Sequence, residues 1–566
     1  MEPRPWHAHY DPGVPPGLEY RQLSLPDFLR RSAQHNPGAT ALLFANLRLS
    51  YAELLREVEC CAAALAALGA EPGVRVALHL PNVPQMVIAY YAALSLGCEV
   101  VLTNPLYTPR ELEHQWNDAG CTLAVTMDFL YAEKVRALRP KLQVRHFLVA
   151  SFPEYLRWPL TWLAPIKLRR KNPPAIAAIP CEAGVQPFRA ALRAQRGTAP
   201  PRPFIDLDAP AVLQYTGGTT GVSKAAVLSH RNLSVNVQQM DVWFGGSRPA
   251  SEVVLVCLPL FHVFAMTCAM NFAVQGASAM VLVPDPRDAR ALLKAIERHR
   301  VTVFPGVPSL YNSLNNWPGI EKCDLGSVKV CLSGSAPIAP DVLERFERLT
   351  GAKIVEGYGM SETSPLTHAN PLHGERKLGW VGLPVCDTDA RIVDVEDPAR
   401  LIPAGESGEL ALRGPQVMQG YWNRPDESAL VLRDGWLLTG DLAVMSPGGY
   451  FQIVGRKKDM INVGGFKVFP DEVDAVLHGH PAVLEAATIG VPRPGQSELV
   501  KSFVVRKPGQ TLETEALRAY LGERLAPYKV PREVEFLTEL PKSTVLKILR
   551  RELRERELAK RSAARG

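Results

Sequence analysis

The sequence predicts an α/β protein whose main sheet is mostly parallel and covered by helices. Helix patterns at residues 50–69 and 85–96 alternate with short apolar strand patterns at residues 76–80, 99–102 and 123–125. This alternation is typical of parallel sheets, because each crossover helix packs back onto a face of the sheet. The chain has 566 residues, of which 47% are hydrophobic. It is too long for one core, and its length predicts roughly three to four folding units.

The composition excludes several classes of protein. Charged residues of both signs make up 21% of the chain, which indicates a globular protein rather than a disordered one. The ten cysteines contain no C-x-x-C pair, so we expect no zinc site and a reducing, cytoplasmic compartment. Residues 1–20 lack the apolar core of a secretory signal, and residues 265–284 are too polar for a good membrane-spanning helix.

The net charge of +6 is concentrated near the end of the chain. From Arg456 onward there are 21 Lys and Arg against 15 Asp and Glu, an excess equal to that of the whole chain. A basic terminal module suits a polyphosphate ligand or an acidic partner surface. The alternative, which fits residues 547–565 in part, is a solvated basic helix. We expect no nucleic acid partner.

The strongest motif follows residues 211–213, an apolar run that predicts a buried strand. Residues 215–224 read Tyr-Thr-Gly-Gly-Thr-Thr-Gly-Val-Ser-Lys. Glycines let the backbone approach a ligand closely, and the hydroxyls, amides and ammonium can surround phosphate oxygens. The alternative is a plain surface turn, but such a turn rarely combines so many donors with a lysine. The pattern is neither a Walker A loop nor a Rossmann fingerprint. Its candidate phosphate ligands are Thr216, Gly217, Gly218, Thr219, Thr220, Gly221, Ser223 and Lys224.

Several polar and aromatic residues further along the chain could contact a ligand, but ordinary structural alternatives stay open for them. An aromatic residue between two glycines, for example, is by itself more often part of a turn. Tyr358, between two glycines, can offer a ring face to a purine, and Glu362 is a hard oxygen ligand suited to Mg²⁺. Asp441 can accept the hydroxyl protons of a ribose, although an ordinary turn aspartate is the alternative. His262 lies among apolar residues, where a core histidine with satisfied hydrogen bonds is the default.

Residues 152–174 combine aromatic and aliphatic side chains with a basic cluster at residues 167–171. This composition suits contact with an anionic bilayer surface. The alternative is a surface excursion whose aromatic side chains pack down onto the protein. Pro159 and Pro165 predict that the segment is not one regular helix.

Together these motifs resemble the adenylate-forming superfamily, which includes acyl-CoA synthetases, luciferases and peptide-synthetase adenylation domains. The resemblance extends from about Tyr20 to Glu557 and is closest to bacterial long-chain fatty acid–CoA ligases. The strings that favour this branch are at residues 104–120, 215–226, 455–473 and 541–553.

The resemblance implies an architecture and a reaction. It implies a large N-terminal domain of mixed, mostly parallel sheets flanked by helices at residues 1–455, and a hinge at residues 456–459. A small, mobile α+β C-terminal domain follows at residues 460–566, and the polar boundary itself fits a segment that few contacts cross. The implied reaction uses ATP, Mg²⁺ and CoA to convert a fatty acid first to an acyl adenylate and then to a thioester.

The resemblance also implies roles for individual residues. Catalytic roles fall to Lys547, Glu362 and Thr216, of which the last two are also implied metal ligands. Lys458 matches the hinge position, and the implied CoA channel contains Gly464, Gly465 and Phe466. The implied acyl pocket contains His262, Gly334 and Gly357. Besides the phosphate loop, the implied ATP and AMP contacts are Gly334, Ser335, Ala336, Glu356, Gly357, Tyr358, Gly359, Met360, Ser361, Asp441, Ile453 and Arg456.

Two positions depart from the family pattern. Ala225 replaces the usual glycine after Lys224, and Leu546 replaces the glycine before Lys547. A left-handed backbone at Leu546 would cost about 1 kcal/mol or more. These departures leave open a non-catalytic binding protein that keeps the fold. A second alternative also stays open, an enzyme that activates another carboxylic acid or hands the acyl adenylate to a carrier protein.

We expect fatty acid, ATP and CoA as small-molecule partners. Two further expectations stay open: a homodimer, and a peripheral contact with the inner face of the membrane through residues 152–174.

Overall fold

The computed structural model describes residues 4–171, 174–216, 223–246, 249–463, 466–493, 496–543 and 548–563. It confirms the predicted α/β class. Two mostly parallel sheets and their helices make up the large N-terminal part, an antiparallel sheet follows, and smaller sheets with helices form the C-terminal part.

In the described residues, the first sheet has seven strands and is parallel except at one edge. There the last two strands pair antiparallel, and they lead into and out of the predicted phosphate loop. The strand order is Val185–Pro187, His146–Ala150, Leu123–Met127, Arg75–His79, Glu99–Leu102, Pro210–Thr216 and Lys224–Ser229. The predicted strands at 76–80, 99–102 and 123–125 lie in this sheet.

The second sheet has nine strands within the described part of the chain. Its central strands are parallel, and antiparallel pairs close both edges. The order is Leu383–Pro384, Leu366–Ala369, Lys353–Gly359, Val330–Ser333, Val303–Gly306, Val253–Val256, Ala279–Leu282, Thr40–Phe44 and Leu47–Ser50. One hydrophobic cluster contains residues of both large sheets, such as Val76 and Val254.

The third sheet is antiparallel and contributes the strands that precede the predicted hinge. Its strands are Asp389–Val393, Ser407–Arg413, Leu432–Arg433, Trp436–Met445 and Phe451–Arg456. Beyond the hinge come a hairpin and a mixed sheet, which pack around hydrophobic clusters of their own. Their strands are Ile461–Val463, Phe466–Val468, Val483–Arg493, Gln496–Arg506 and Glu533–Leu537.

The predicted helix at residues 50–69 is confirmed as Tyr51–Ala67. Ser50 caps it by accepting the Glu53 backbone N–H, and the Glu53 side chain accepts the Ser50 N–H in return. The predicted helix at 85–96 is Pro84–Ser95. Other α-helices are Leu25–His35, Pro109–Asp118, Leu160–Arg169, Phe188–Ala194, His230–Trp243, Ala289–His299, Pro308–Asn315, Pro340–Thr350, Pro425–Val431, Pro470–His478, Thr514–Gly522 and Arg550–Ala563.

The expectation that residues 152–174 do not form one regular helix is confirmed, because a 3-10 helix at Phe152–Tyr155 and an α-helix that begins after Pro159 are separate elements. Pro165, by contrast, does not interrupt the second helix. Leu160–Arg169 is helical through Pro165. Proline removes one backbone donor, but this helix buries none of its residues, so water can hydrate the carbonyl that loses its partner. None of the helices in the described ranges has an apolar stretch long enough to cross a bilayer.

Candidate functional site

The predicted phosphate loop is held at both ends by an antiparallel strand pair. Thr216 and Lys224 face each other across the pair, and Ser223 Oγ donates to Thr216 O at 2.7 Å. The Tyr215 hydroxyl donates to Asp118 Oδ2 at 2.7 Å, which fixes the incoming strand. These contacts give the two ends of the loop a defined separation and direction.

Lys224 points at two residues that sequence reasoning did not single out. Its Nζ lies 3.0 Å from Glu427 Oε2 and 3.9 Å from the centre of the Tyr421 ring. The neighbouring Ala225 is fully buried, and its carbonyl accepts the Trp422 backbone N–H at 2.8 Å. The methyl group that departs from the family pattern therefore packs inside the protein and takes no donor away.

Glu362 lies in the turn Ser361–Thr363 and is buried. The Tyr421 hydroxyl donates to its Oε1 at 2.8 Å. The pKa of Tyr421 lies well above its ordinary value, mainly because the hydroxyl is buried and secondly because the Glu362 carboxylate is negatively charged. The hydroxyl therefore stays protonated and remains a donor. Tyr421 thus contacts both Lys224 and Glu362, and the two predicted site residues meet around one ring.

The donor set around Glu362 fits a Mg²⁺ that the protein holds only lightly. Among the described residues, no group of three or more His, Cys, Asp or Glu is arranged to cage a metal ion. Mg²⁺ commonly takes one or two carboxylates and completes its shell with waters and substrate phosphates. One buried carboxylate beside the phosphate-loop strands meets that requirement, with the Thr216 hydroxyl as the second predicted ligand.

A second group of predicted residues meets where two sheets adjoin. The Tyr358 hydroxyl donates to Asp441 Oδ2 at 2.6 Å, and Arg456 Nε lies 3.1 Å from Asp441 Oδ1. The Asp441 carboxylate raises the pKa of Arg456. The pKa of Tyr358 lies far above its usual range, mainly because the hydroxyl is buried and secondly because the Asp441 carboxylate is next to it. Asp441 therefore contacts both of the other residues predicted to hold adenosine. Ile453 lies on the same strand as Arg456.

Glu356 is a buried carboxyl group in the strand that leads to Tyr358. Its oxygens accept the backbone N–H groups of Ile338 at 3.4 Å and Gly379 at 3.3 Å. Burial nevertheless raises the pKa of Glu356 to about 7. Its two hydrogen bonds tie the backbone at Ile338 and Gly379 to the strand that carries Tyr358.

The glycines in this strand are required by close packing. A Cβ at Gly359 would collide with the carbonyl oxygen of Pro365, and one at Gly357 would lie 3.1 Å from Leu366 Cδ1. Met360 and Ser361 follow directly and lead into the turn that carries Glu362. The strand Lys353–Gly359 can therefore lie close against the segment of residues 365–369. Tyr358 stands near its end, and Glu362 follows in the next turn.

Of the predicted acyl-pocket residues, His262 lines a small apolar recess, and a Cβ at Gly334 would lie 3.7 Å from the Gly357 carbonyl oxygen. His262 precedes the helical turn Val263–Ala265, and its Nδ1 accepts the Phe264 backbone N–H at 3.3 Å. A Cβ at Gly334 would lie 3.2 Å from the Phe264 ring. Exposed Ser335 and Ala336 follow Gly334. The recess is lined by Leu258, Pro259, His262, Phe264, Ala265, Val307 and Ser335.

The predicted hinge is anchored to the N-terminal part through the residue before Lys458. Lys457 Nζ lies 3.2 Å from the buried carboxylate of Glu409 and donates to Val395 O at 2.6 Å. The other Glu409 oxygen accepts the Gly440 N–H at 3.0 Å. Burial lowers the pKa of Lys458. Glu409 therefore connects the predicted hinge to Gly440, the residue before Asp441 in the strand Trp436–Met445.

Several predicted residues lie outside the described part of the chain: Gly217, Gly218, Thr219, Thr220, Gly221, Gly464, Gly465, Leu546 and Lys547. The residues flanking Lys547 are described, and a β-bridge joins Lys542 to Ile548. Arg550 pairs with Asp474 at 2.6 Å and anchors the helix that follows. Phe466, from the predicted CoA channel, is exposed and stacks on Tyr528.

Comparison with known families identifies what this geometry belongs to. The pattern of the family described as AMP-binding enzyme matches residues 29–422, which is more than half of the chain. The chain belongs to the AMP-binding enzyme family. The C-terminal domain described for the same enzymes matches residues 472–547.

Curated relatives of this AMP-binding enzyme match it over nearly their full length. A long-chain-fatty-acid–CoA ligase of Bacillus subtilis is 42% identical over 98% of both chains. One from Escherichia coli O6:H1 is 38% identical over 97% of this chain and 98% of its own. A feruloyl-CoA synthase of Amycolatopsis is 35% identical over 95% of this chain and 99% of its own.

Solved structures agree with the fold of this AMP-binding enzyme. An anthranilate CoA ligase in complex with anthranoyl-AMP superposes with a TM-score of 0.83 at 27% identity, over 96% of this chain and 98% of that one. ATP-bound MatB from Rhodopseudomonas palustris gives 0.81 at 29%, over 94% and 99%.

Sequence reasoning missed the residues that hold the predicted ones in place. A signal existed for Glu409, because it is a lone carboxylate followed by the apolar run of residues 410–412, and a charge in a buried strand needs a partner. Tyr421 and Glu427 carried no local signal, since an aromatic after a glycine and an acid in a first helical turn are common.

Proposed function

We infer that this enzyme is a long-chain-fatty-acid–CoA ligase. The observation that carries the inference is the near-complete match to curated ligases of that name, at 42% and 38% identity. The match includes both the region of the nucleotide cleft and the region after the predicted hinge. ATP, CoA and a fatty acid are therefore its substrates, and the products are acyl-CoA, AMP and pyrophosphate.

The chemical problem is that a carboxylate has no good leaving group. In the proposed first step, a carboxylate oxygen attacks the α-phosphorus of ATP, and the bond from that phosphorus to pyrophosphate breaks. Such transfer depends mainly on positioning and charge neutralisation. Lys224, Thr216 and the loop hold the β- and γ-phosphates, while Tyr358, Asp441 and Arg456 hold adenosine. Glu362 and the Thr216 hydroxyl would hold a Mg²⁺ ion, which would supply further neutralising charge.

In the proposed second step, the CoA thiolate attacks the acyl carbon, and the bond from that carbon to the AMP oxygen breaks. Lys547 stabilises the charge of the first step from a domain at residues 460–566. Rotation of this domain against residues 1–455, at the hinge of residues 456–459 that contains Lys458, then withdraws Lys547. It brings Gly464, Gly465 and Phe466 to the path of the thiol, and such gating can limit turnover.

The test is a substrate panel with the purified chain, ATP and Mg²⁺. Fatty acids of graded length and ferulate are each offered with CoA, and AMP and the thioester are quantified. Thioester formation fastest with a long-chain acid supports the proposal. Faster turnover of ferulate, or transfer to a carrier protein but not to CoA, would favour the second alternative. Absence of pyrophosphate release with every acid would favour a binding protein.

We also propose a peripheral membrane contact through residues 152–174, at the inner face of the membrane. Trp158 and Trp162 are 85% and 72% exposed, and Leu163 and Ile166 lie exposed beside them. Residues 155–181 contain five Lys and Arg and no acidic residue. Exposed tryptophans next to a purely cationic segment suit the boundary between anionic headgroups and acyl chains. Such a contact would place the enzyme next to a membrane, where its proposed substrate, a long-chain fatty acid, can be found.

Vesicle sedimentation tests the membrane contact. Binding to vesicles containing phosphatidylglycerol, and much weaker binding to phosphatidylcholine alone, is expected. Trp158→Ser with Trp162→Ser lowers that binding several-fold, and Phe204→Ser, which changes another highly exposed aromatic, is the matched control. Equal binding by all three proteins would contradict the assignment.

A cytoplasmic location and a homodimer stay predictions.

A further inference from the structure

The lysine that we propose binds the phosphates of ATP already forms an ion pair with a carboxylate in this structure. Lys224 Nζ lies 3.0 Å from Glu427 Oε2, and its ammonium stands over the Tyr421 ring at 3.9 Å from the ring centre. The Lys224 side chain is 22% exposed and that of Glu427 39%. The pair is therefore shielded enough to persist and open enough for a ligand to reach.

Glu427 is placed by a tightly bonded turn rather than by chance on a loose surface. It lies in the first turn of the helix Pro425–Val431. Ser428 Oγ donates to Arg424 O at 2.8 Å and accepts the Tyr421 N–H at 2.8 Å. Arg424 pairs with Asp118 at 2.9 Å and lies 3.8 Å from Glu427 Oε1. This turn therefore aims the carboxylate at Lys224.

The same turn reaches the predicted metal ligand. Tyr421 donates to Glu362 Oε1 at 2.8 Å while its ring lies under Lys224. Lys224, the proposed phosphate ligand, and Glu362, the proposed metal ligand, therefore contact the same tyrosine. A ligand that breaks the ion pair between Lys224 and Glu427 binds next to both.

Charge decides what happens when ATP arrives. Glu427 and the phosphates carry the same sign, so both cannot use the Lys224 ammonium at close range without repulsion. Partly exposed ion pairs typically change an equilibrium constant by less than about tenfold. Displacing Glu427 therefore weakens ATP binding modestly but does not prevent it.

We propose that the Glu427 carboxylate forms an ion pair with Lys224 while no nucleotide is bound, and that the phosphates of ATP replace the carboxylate as the partner of the lysine. Glu427 is thus a positioning residue that acts through Lys224. When pyrophosphate leaves, the carboxylate takes the ammonium back, which favours product release. The proposal rests on the proposed function in one respect, that Lys224 binds phosphate.

A double-mutant cycle on ATP binding tests this directly. The variants are Glu427→Gln, Lys224→Met and the two combined, and titration calorimetry measures the Kd of ATP with Mg²⁺ and no fatty acid or CoA. Asp426→Asn is the matched control, because it removes the same charge from the exposed neighbouring position. Thermal unfolding of each variant checks that the fold is retained.

The expected result has two parts. Glu427→Gln lowers the Kd of ATP about two- to tenfold, while Asp426→Asn changes it by less than about 1.5-fold. The gain disappears in the Lys224→Met background. Pyrophosphate, titrated in the same way, binds Glu427→Gln more tightly than the wild type, and its inhibition of turnover strengthens in the same ratio.

Three results would overturn the proposal: unchanged or weaker ATP binding by Glu427→Gln, an equal gain from Asp426→Asn, or a gain that persists without Lys224. The cycle uses ATP alone, so a wild-type protein that makes no acyl-CoA but shows the coupling would overturn only the proposed function. A wild type that binds no ATP would overturn both.

Discussion

The Tyr358 hydroxyl donates a 2.6 Å hydrogen bond to Asp441 Oδ2, across 83 positions of sequence. The bond joins the strand Lys353–Gly359 of the nine-stranded sheet to the strand Trp436–Met445 of the antiparallel sheet. Arg456 engages the other carboxylate oxygen. The residues proposed to hold adenosine are therefore ordered by each other before a ligand binds.

Tyr358→Leu should weaken ATP binding about tenfold or more, because it removes the aromatic face on which adenine stacks. Tyr358→Phe keeps that face and loses only the hydroxyl, so we expect a change below about threefold. Titration calorimetry with ATP measures both. Equal losses in the two variants would show that the hydroxyl, and not the ring, carries the contribution.

The raised pKa of Glu356 predicts a pH-dependent stability. Its pKa is about 7 in the folded protein against an ordinary value of 4.5, so the folded state keeps a proton that the unfolded chain releases. Stability from this group is therefore complete below pH 4.5 and falls as the pH rises towards 7, by at most about 1.4 kcal/mol per pH unit.

Glu356→Gln should remove this slope, because the amide oxygen still accepts a backbone N–H and does not titrate. Thermal unfolding of both proteins between pH 5 and 7.5 measures the difference. The Tm of the wild type should fall relative to that of the variant as the pH rises. Parallel curves would mean that Glu356 is already ionised when folded.

Lys457→Met should destabilise the protein by about 1–2 kcal/mol, because it leaves the buried Glu409 carboxylate without its ammonium partner. The estimate is reduced because the Lys457 side chain is 41% exposed. Adding Glu409→Gln removes the unpaired charge and should restore part of the lost Tm. If the double variant is less stable than both single variants, the pair is not the anchor of the hinge.

Lys547→Ala should lower the rate of acyl-adenylate formation about 10²- to 10³-fold, the usual effect of removing one preorganised charge from a transition state. ATP binding should change little. Pyrophosphate release with a fatty acid and ATP is the measurement, and Lys542→Ala is the control because Lys542 pairs with Glu485 nearby. Full activity in Lys547→Ala would mean that another residue holds this role.

Local sequence features predicted the elements that depend only on neighbouring residues. Strand Glu99–Leu102 was predicted at its observed bounds, and helices Tyr51–Ala67 and Pro84–Ser95 within two residues, because apolar spacing determines which face is buried. The prolines were predicted to divide residues 152–174, and the second helix does begin after Pro159, but it continues through Pro165 because its residues are not buried, which the local pattern does not show.

By itself, the sequence determined the chemistry available to this protein: the glycine and threonine loop, the lone carboxylates and the tyrosine between glycines. Only the tertiary structure decided which of them meet. Tyr421 contacts Glu362 across 59 positions, and Lys224 reaches Glu427 across 203. Such contacts depend on how separate sheets pack, because side-chain spacing along one strand or helix sets a face but not its partner.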